Sequence, residues 1–242
     1  MIYPTALPHF PPTRWSLIQR LEGPEAEADR AIGELCETYW RPLYCFARQR
    51  GKSSADAQDA TQGFMVHALK HNLFGRAQAD RGKLRTFLLH AFKQWMLNEQ
   101  AKERSIVNGG GYQFVSRDEP VMAERCFAEL SENETPETLF DRVWALMLLD
   151  RVLHRLEKKW QAEGKGEWFE TLRPFLDGGR SGDESYEEAG LRLKVPGDRV
   201  RVAAFRLRRS YREELIREVR ETVSPAEEEA ELNILIQAVS RR

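Results

Sequence analysis

The stretch from Ser185 to Arg212 restricts this chain more than any other, because a helical period breaks in its middle and resumes at once. Ser185 and Glu188 form a capping-box pair that opens a short helix carrying Ala189, Leu191 and Leu193. Lys194-Val195-Pro196-Gly197-Asp198 then interrupts the pattern. Proline lacks the amide hydrogen a helix interior needs, and glycine takes backbone angles that other residues avoid. Asp198 is placed to cap a second helix, in which Val200, Ala203, Ala204 and Leu207 recur at helical spacing. That helix carries six arginines from Arg199 to Arg212 and no acid over the same span. A short helix, a turn and a cationic helix make the helix-turn-helix pattern, whose second helix enters the DNA major groove. The competing reading is a solvated face paired with Glu213, Glu214 and Glu218. Arg201, Arg206, Arg208, Arg209 and Arg212 are too dense for pairing alone.

With 242 residues and a formal charge of −1, any affinity for nucleic acid must come from local patches rather than a global field. Cys36, Cys45 and Cys126 are odd in number and show no C-x-x-C spacing. They read as buried thiols in a reducing compartment, with neither a disulfide framework nor a zinc site. The Pro-rich N-terminus has no basic segment followed by an apolar run, and no apolar stretch approaches bilayer length. A cytoplasmic protein without membrane contact is the expectation.

The rest of the chain reads as helices and breaks. Residues 1–12 are Pro-rich, and Thr13 opens a short helix through Trp15 to Leu21. From Asp29 an apolar stripe runs through Ile32, Leu35, Cys36, Tyr39, Trp40, Leu43 and Phe46, with Pro42 as a candidate kink. Ser53 or Ser54 caps the next helix, about 55–70, whose acidic residues sit near its N-terminus as the helix dipole favours. A loop rich in cations and glycine leads to a long helix over about 84–104. Residues 105–136 lose the period and read as a linker, after which helical spacing resumes at Leu139. No strand pattern emerges. The expected fold is all-α: two helical domains joined by a flexible linker, the C-terminal one a helix-turn-helix. Its parts are an N-terminal segment at 1–28, a first domain at 29–105, a linker at 106–138, the second domain at 139–221 and an acidic tail helix at 222–242.

This order of parts resembles the extracytoplasmic-function sigma factors of the sigma-70 superfamily, which direct bacterial RNA polymerase. Asp-Ala-Gln-Asp-Ala-Thr-Gln-Gly-Phe at 56–64 looks like that family's acidic docking helix. Tyr186 to Leu193 and Val200 to Arg209 look like its helix-turn-helix patterns. The resemblance implies promoter recognition and transcription initiation, with core polymerase and promoter DNA as partners, no cofactor and no metal. It places Asp56, Asp59 and Gln62 against the clamp helices of the largest polymerase subunit. Carboxylates at three-residue steps on one face suit bidentate pairing with arginine.

Two further contacts follow from the resemblance. Arg76, Arg81, Lys83 and Arg85 would meet the melted minus-ten promoter element, with glycines 75 and 82 allowing close backbone approach. Gln94 and Asn98 would offer amides to base edges there, and Lys93, Lys102 and Arg104 would meet phosphates. Core packing accounts better for Phe87, Phe92 and Trp95. In the second domain Arg201, Val202, Phe205 and Arg206 would reach bases of the minus-thirty-five element, with Arg199, Arg208, Arg209 and Arg212 nearer phosphates. Val200 and Leu207 are expected in the core.

The chain departs from the family pattern at Gln58 and Gly63, where the family often carries Glu. Thr61 lies between them, and its phosphorylation would restore charge, as the resemblance to a kinase-associated subset suggests. The other reading of Thr61 is a surface threonine without a role. A serine/threonine kinase and an anti-sigma protein are accordingly candidate partners.

A helix-turn-helix regulator that works without polymerase is the main rival; it would have no use for the 56–64 helix. An enzyme is not expected, since no nucleophile elbow, P-loop or histidine–carboxylate cluster is present, and His67 with His71 is an isolated pair. The tail helix, Glu227 to Val239, has three readings: folded over the arginine helix as an inhibitor, packed elsewhere, or an inert surface helix.

Overall fold

The computed structural model describes residues 20–21, 23–76, 83–103, 119–130, 133–177, 185–220, 223 and 228–240. All regular structure among them is helical, as the periodicity requires. The chain divides into two units, one of residues up to Ala145 together with Arg220 onward, the other from Leu146 to Val219. The expected helix after Thr13 and most of the expected linker lie outside the described residues.

In the first unit, α1 (Glu25–Gln49) buries its stripe, with Leu35, Cys36, Tyr39, Leu43 and Phe46 fully enclosed. It runs through Pro42 without ending. α2 (Ser54–Lys70) starts at Ser53, whose hydroxyl accepts the Asp56 amide at 3.1 Å. A 3-10 turn at Phe74–Arg76 follows, and then α3 (Leu84–Glu103). Aromatic rings join the three helices: Phe64 meets Phe92 at 5.0 Å, Phe46 meets Phe92 at 6.1 Å, and Trp95 stacks on Phe92 at 6.2 Å. Trp95 and Phe92 are thus core-packing residues, as their spacing implies.

α4 (Glu119–Leu130) occupies part of the stretch expected to be a linker. Its polar composition conceals Ala123, fully buried, and Cys126 and Phe127, half-buried, at helical spacing. Arg48 clamps this helix to α1 through a fork on Glu124, Nε to Oε2 at 2.8 Å and Nη2 to Oε1 at 2.7 Å. α5 (Pro136–Ala162) buries Leu139, Phe140, Val143 and Trp144 in the first unit before the boundary, which falls inside it. The second unit therefore begins at residue 146 rather than 139. α9 (Glu228–Ser240), the acidic tail, belongs to the first unit, with Glu231 and Leu235 buried.

The second unit comprises the remainder of α5, then α6 (Gly166–Leu172) with a 3-10 turn to Asp177, α7 (Tyr186–Leu193) and α8 (Gly197–Arg220) as far as Val219. Val152, Leu156, Phe169, Leu172, Ala189, Val200, Ala204 and Leu207 form its core. Glu218 is fully buried and forms an ion pair with Arg155. Removing one member of such a pair leaves a charge without compensation in a poor solvent for it.

Candidate nucleic-acid interface

α7 and α8 approach each other by backbone. The capping box at Ser185 and Glu188 forms as read: the Ser185 amide donates to the Glu188 carboxylate at 2.7 Å, and the Glu188 amide to the Ser185 hydroxyl at 3.2 Å. α7 ends at Lys194 in the left-handed region, φ +56°, and the Val195 amide donates to Gly190 O at 2.9 Å. A β-carbon on Gly190 would lie 2.6 Å from Val195 O, and one on Gly197 would lie 3.2 Å from Glu187 Cα. Two glycines are therefore what let the turn close.

The same closure fixes which side of α8 faces outward. Val200, Ala204 and Leu207 point to the core, while Arg199, Arg201, Val202, Phe205, Arg206, Arg209 and Arg212 are exposed. Phe205 is 65 % exposed and Val202 49 %, an unusual placement for apolar side chains amid arginines. Such groups can contact thymine methyls while guanidinium forks meet guanine. Arg201 pairs with Asp198 at 2.7 Å and Arg209 with Glu213 at 2.8 Å. Both pairs are solvent-exposed, so each contributes little. Arg199, Arg206 and Arg212 carry no ion pair among the described residues.

Two sequence expectations change here. Asp198 does not precede α8 as its cap; it lies in the first turn with its carboxylate on Arg201, and the Pro196 carbonyl accepts the Arg199 amide at 2.9 Å. Arg208, expected near phosphate, donates to the Tyr186 hydroxyl at 2.7 Å and ties α8 to α7. Tyr186 in turn stacks on Phe175 at 4.8 Å.

In the first unit, Asp56 and Asp59 are exposed and Gln62 half-buried along one edge of α2, opposite Ala57, Ala60, Phe64 and Met65. That edge carries the carboxylate face the three-residue spacing implies. Thr61 is not on it. Its side chain is fully buried and its hydroxyl donates to Ala57 O at 2.8 Å. A phosphate has no room there unless α2 opens, so neither the surface threonine nor the accessible phosphorylation site fits this conformation.

The minus-ten candidates fall into three groups. Arg81 and Gly82 lie outside the described residues. Arg76 is exposed, and Gln94 and Asn98 are exposed one helical turn apart on α3. Lys83 and Arg85, in contrast, are occupied. Lys83 Nζ meets Glu231 Oε2 at 2.5 Å, Arg85 Nη1 meets Glu231 Oε1, and Arg85 Nε meets Asp141 Oδ1 at 2.9 Å. The Arg85 guanidinium also lies 4.7 Å over the Trp144 ring, and only 5 % of the side chain is exposed. Burial raises the Asp141 pKa, with Arg85 opposing the rise. Lys93, expected near phosphate, is held by Glu137 at 2.6 Å.

Asp141, Trp144 and Glu231 were invisible as a group to sequence reasoning. The one signal was Leu235, four residues beyond Glu231 and thus on the same face of α9. Burial pushes the Cys36 thiol up to about 12, and a hydrogen bond with Cys126 followed by burial raises Cys45. Among the described residues no three His, Cys, Asp or Glu side chains are grouped to hold a metal ion, and no helix is long and apolar enough to cross a membrane. Comparison with family models, curated proteins and solved structures returned no match.

Proposed function

We propose that this chain is a sigma factor of the extracytoplasmic-function type, a cytoplasmic non-enzymatic protein that binds core RNA polymerase and directs it to promoters. The observation that carries the reading is the outward face of α8. Six exposed side chains, Arg199, Arg201, Val202, Phe205, Arg206 and Arg209, stand together on a helix held by its other side and by a glycine-closed turn. A rigid helix-turn-helix with cations flanking an apolar centre suits the major groove of a minus-thirty-five element. The Asp56–Asp59–Gln62 edge supports polymerase docking, and Gln94 with Asn98 supports contacts to exposed bases of the minus-ten element. Phosphorylation of Thr61 forms no part of the proposal, because its hydroxyl is enclosed.

Run-off transcription with core polymerase on a library of upstream sequences tests the reading. Selection of a common two-part promoter, lost on substituting Arg206 or Asp59, is expected. DNA binding by α8 without any retention of core polymerase would instead identify a regulator that acts alone.

A further inference from the structure

Glu231 holds two of the cations that the resemblance assigns to the melted minus-ten strand. Its side chain is fully buried, and each of its two carboxylate oxygens holds a cation, Lys83 on one and Arg85 on the other. A carboxylate in that position is stable only because both cations accompany it. The cations in turn are spoken for. Lys83 has its ammonium on Glu231, and Arg85 spends its fork on Glu231 and Asp141 with its flat face on Trp144. Leu235, 2 % exposed, anchors the same face of α9 one turn on, and Arg220 reaches Glu228 at 2.8 Å where the tail begins. The tail is covalently attached, so it competes for its seat at high effective concentration.

We infer that α9 is an internal competitor for nucleic acid: Glu231 takes the place of DNA phosphate on Lys83 and Arg85, and the helix must leave before these cations engage a melted strand. The inference rests on the proposed function for its biological meaning, while the competition itself can be measured without polymerase. The two cations differ. When α9 leaves, Lys83 is released outright, whereas Arg85 keeps Asp141.

The test uses the full chain and a short fluorescent single-stranded oligonucleotide, titrated by anisotropy over a salt series. Glu231→Gln removes the charge and keeps the shape. Leu235→Ser loosens the anchor without changing charge, so it carries the test should Glu231→Gln fail to fold. Glu229→Gln, an exposed change of the same charge on the same helix, is the control. Both Glu231→Gln and Leu235→Ser should bind more tightly, with the logarithmic salt slope steeper by about 0.7 to 1.4, one to two phosphate contacts on single strands. Glu229→Gln should match wild type. Lys83→Gln should matter little alone and should cancel most of the gain in the Glu231→Gln background. Equal affinity of wild type, Glu231→Gln and Leu235→Ser overturns the inference, as does a Lys83→Gln loss of the same size in both backgrounds. Parallel retention on core polymerase separates the two ideas: a chain that ignores polymerase defeats the proposed function, and the oligonucleotide arm still reports on the tail.

Discussion

Gly190 and Val195 are joined twice, by a hydrogen bond of 2.9 Å from the Val195 amide to the Gly190 carbonyl and by an approach too close for any side chain. A methyl at 190 would stand 2.6 Å from Val195 O, a backbone atom that cannot swing aside. Gly190→Ala should therefore destabilise the second unit by about 1–3 kcal/mol from overpacking, even though alanine favours a helix interior. Thermal unfolding followed by circular dichroism measures this, and an unchanged or raised midpoint would show that the turn can relax.

Lys194 offers the opposite case. It closes α7 in the left-handed region at φ +56°, where a β-carbon is strained and glycine is not. Lys194→Gly should stabilise the protein by about 1 kcal/mol, less the entropy that glycine adds to the unfolded chain. Chemical denaturation at fixed salt reads the gain.

Thr61 separates two substitutions of similar appearance. Thr61→Ala loses one hydrogen bond to Ala57 O and gains helix propensity, so a change within about 1 kcal/mol is expected. Thr61→Glu places an unpaired carboxylate in a fully enclosed position and should cost about 3 kcal/mol or more. Kinase treatment of the native protein, followed by mass spectrometry, should leave Thr61 unmodified while a peptide of α2 accepts phosphate. Modification of the folded chain at that position would refute the burial argument.

The Arg48–Glu124 fork predicts a pH dependence. Arg48 first, then Tyr44, holds the Glu124 carboxyl below its ordinary 4.5, and Lys93 does the same for Glu137. A lowered carboxyl contributes stability that is complete above its unfolded pKa and is lost as pH falls through the folded value. Asp141 runs the other way, since burial raises it, and its effect blunts the loss. Urea midpoints should be level near neutral pH and should fall as pH drops below 4.5, with Glu124→Gln showing a shallower fall.

Several elements are legible in the sequence itself. The stripes of α1 and α8, the capping box at Ser185 and the exposed edge of α2 follow from local spacing, because a helix turns by a fixed angle per residue whatever surrounds it. α4 was missed for a matching reason. Its burial is narrow, and the polar residues that made it look like a linker include Glu124, whose partner Arg48 lies in a different helix.

Residue order alone determined that this chain is helical and which faces of its strongly periodic helices are apolar. It could not say which charges are spent. Arg85 and Arg206 look alike in sequence, yet one is enclosed by Asp141, Glu231 and Trp144 and the other stands in solvent. That difference arises from partners 56 to 146 positions away in the chain for Arg85, and pairing at such distance is set by tertiary packing. Local pattern fixes the face a side chain occupies; only the fold decides whether a counter-charge is waiting there.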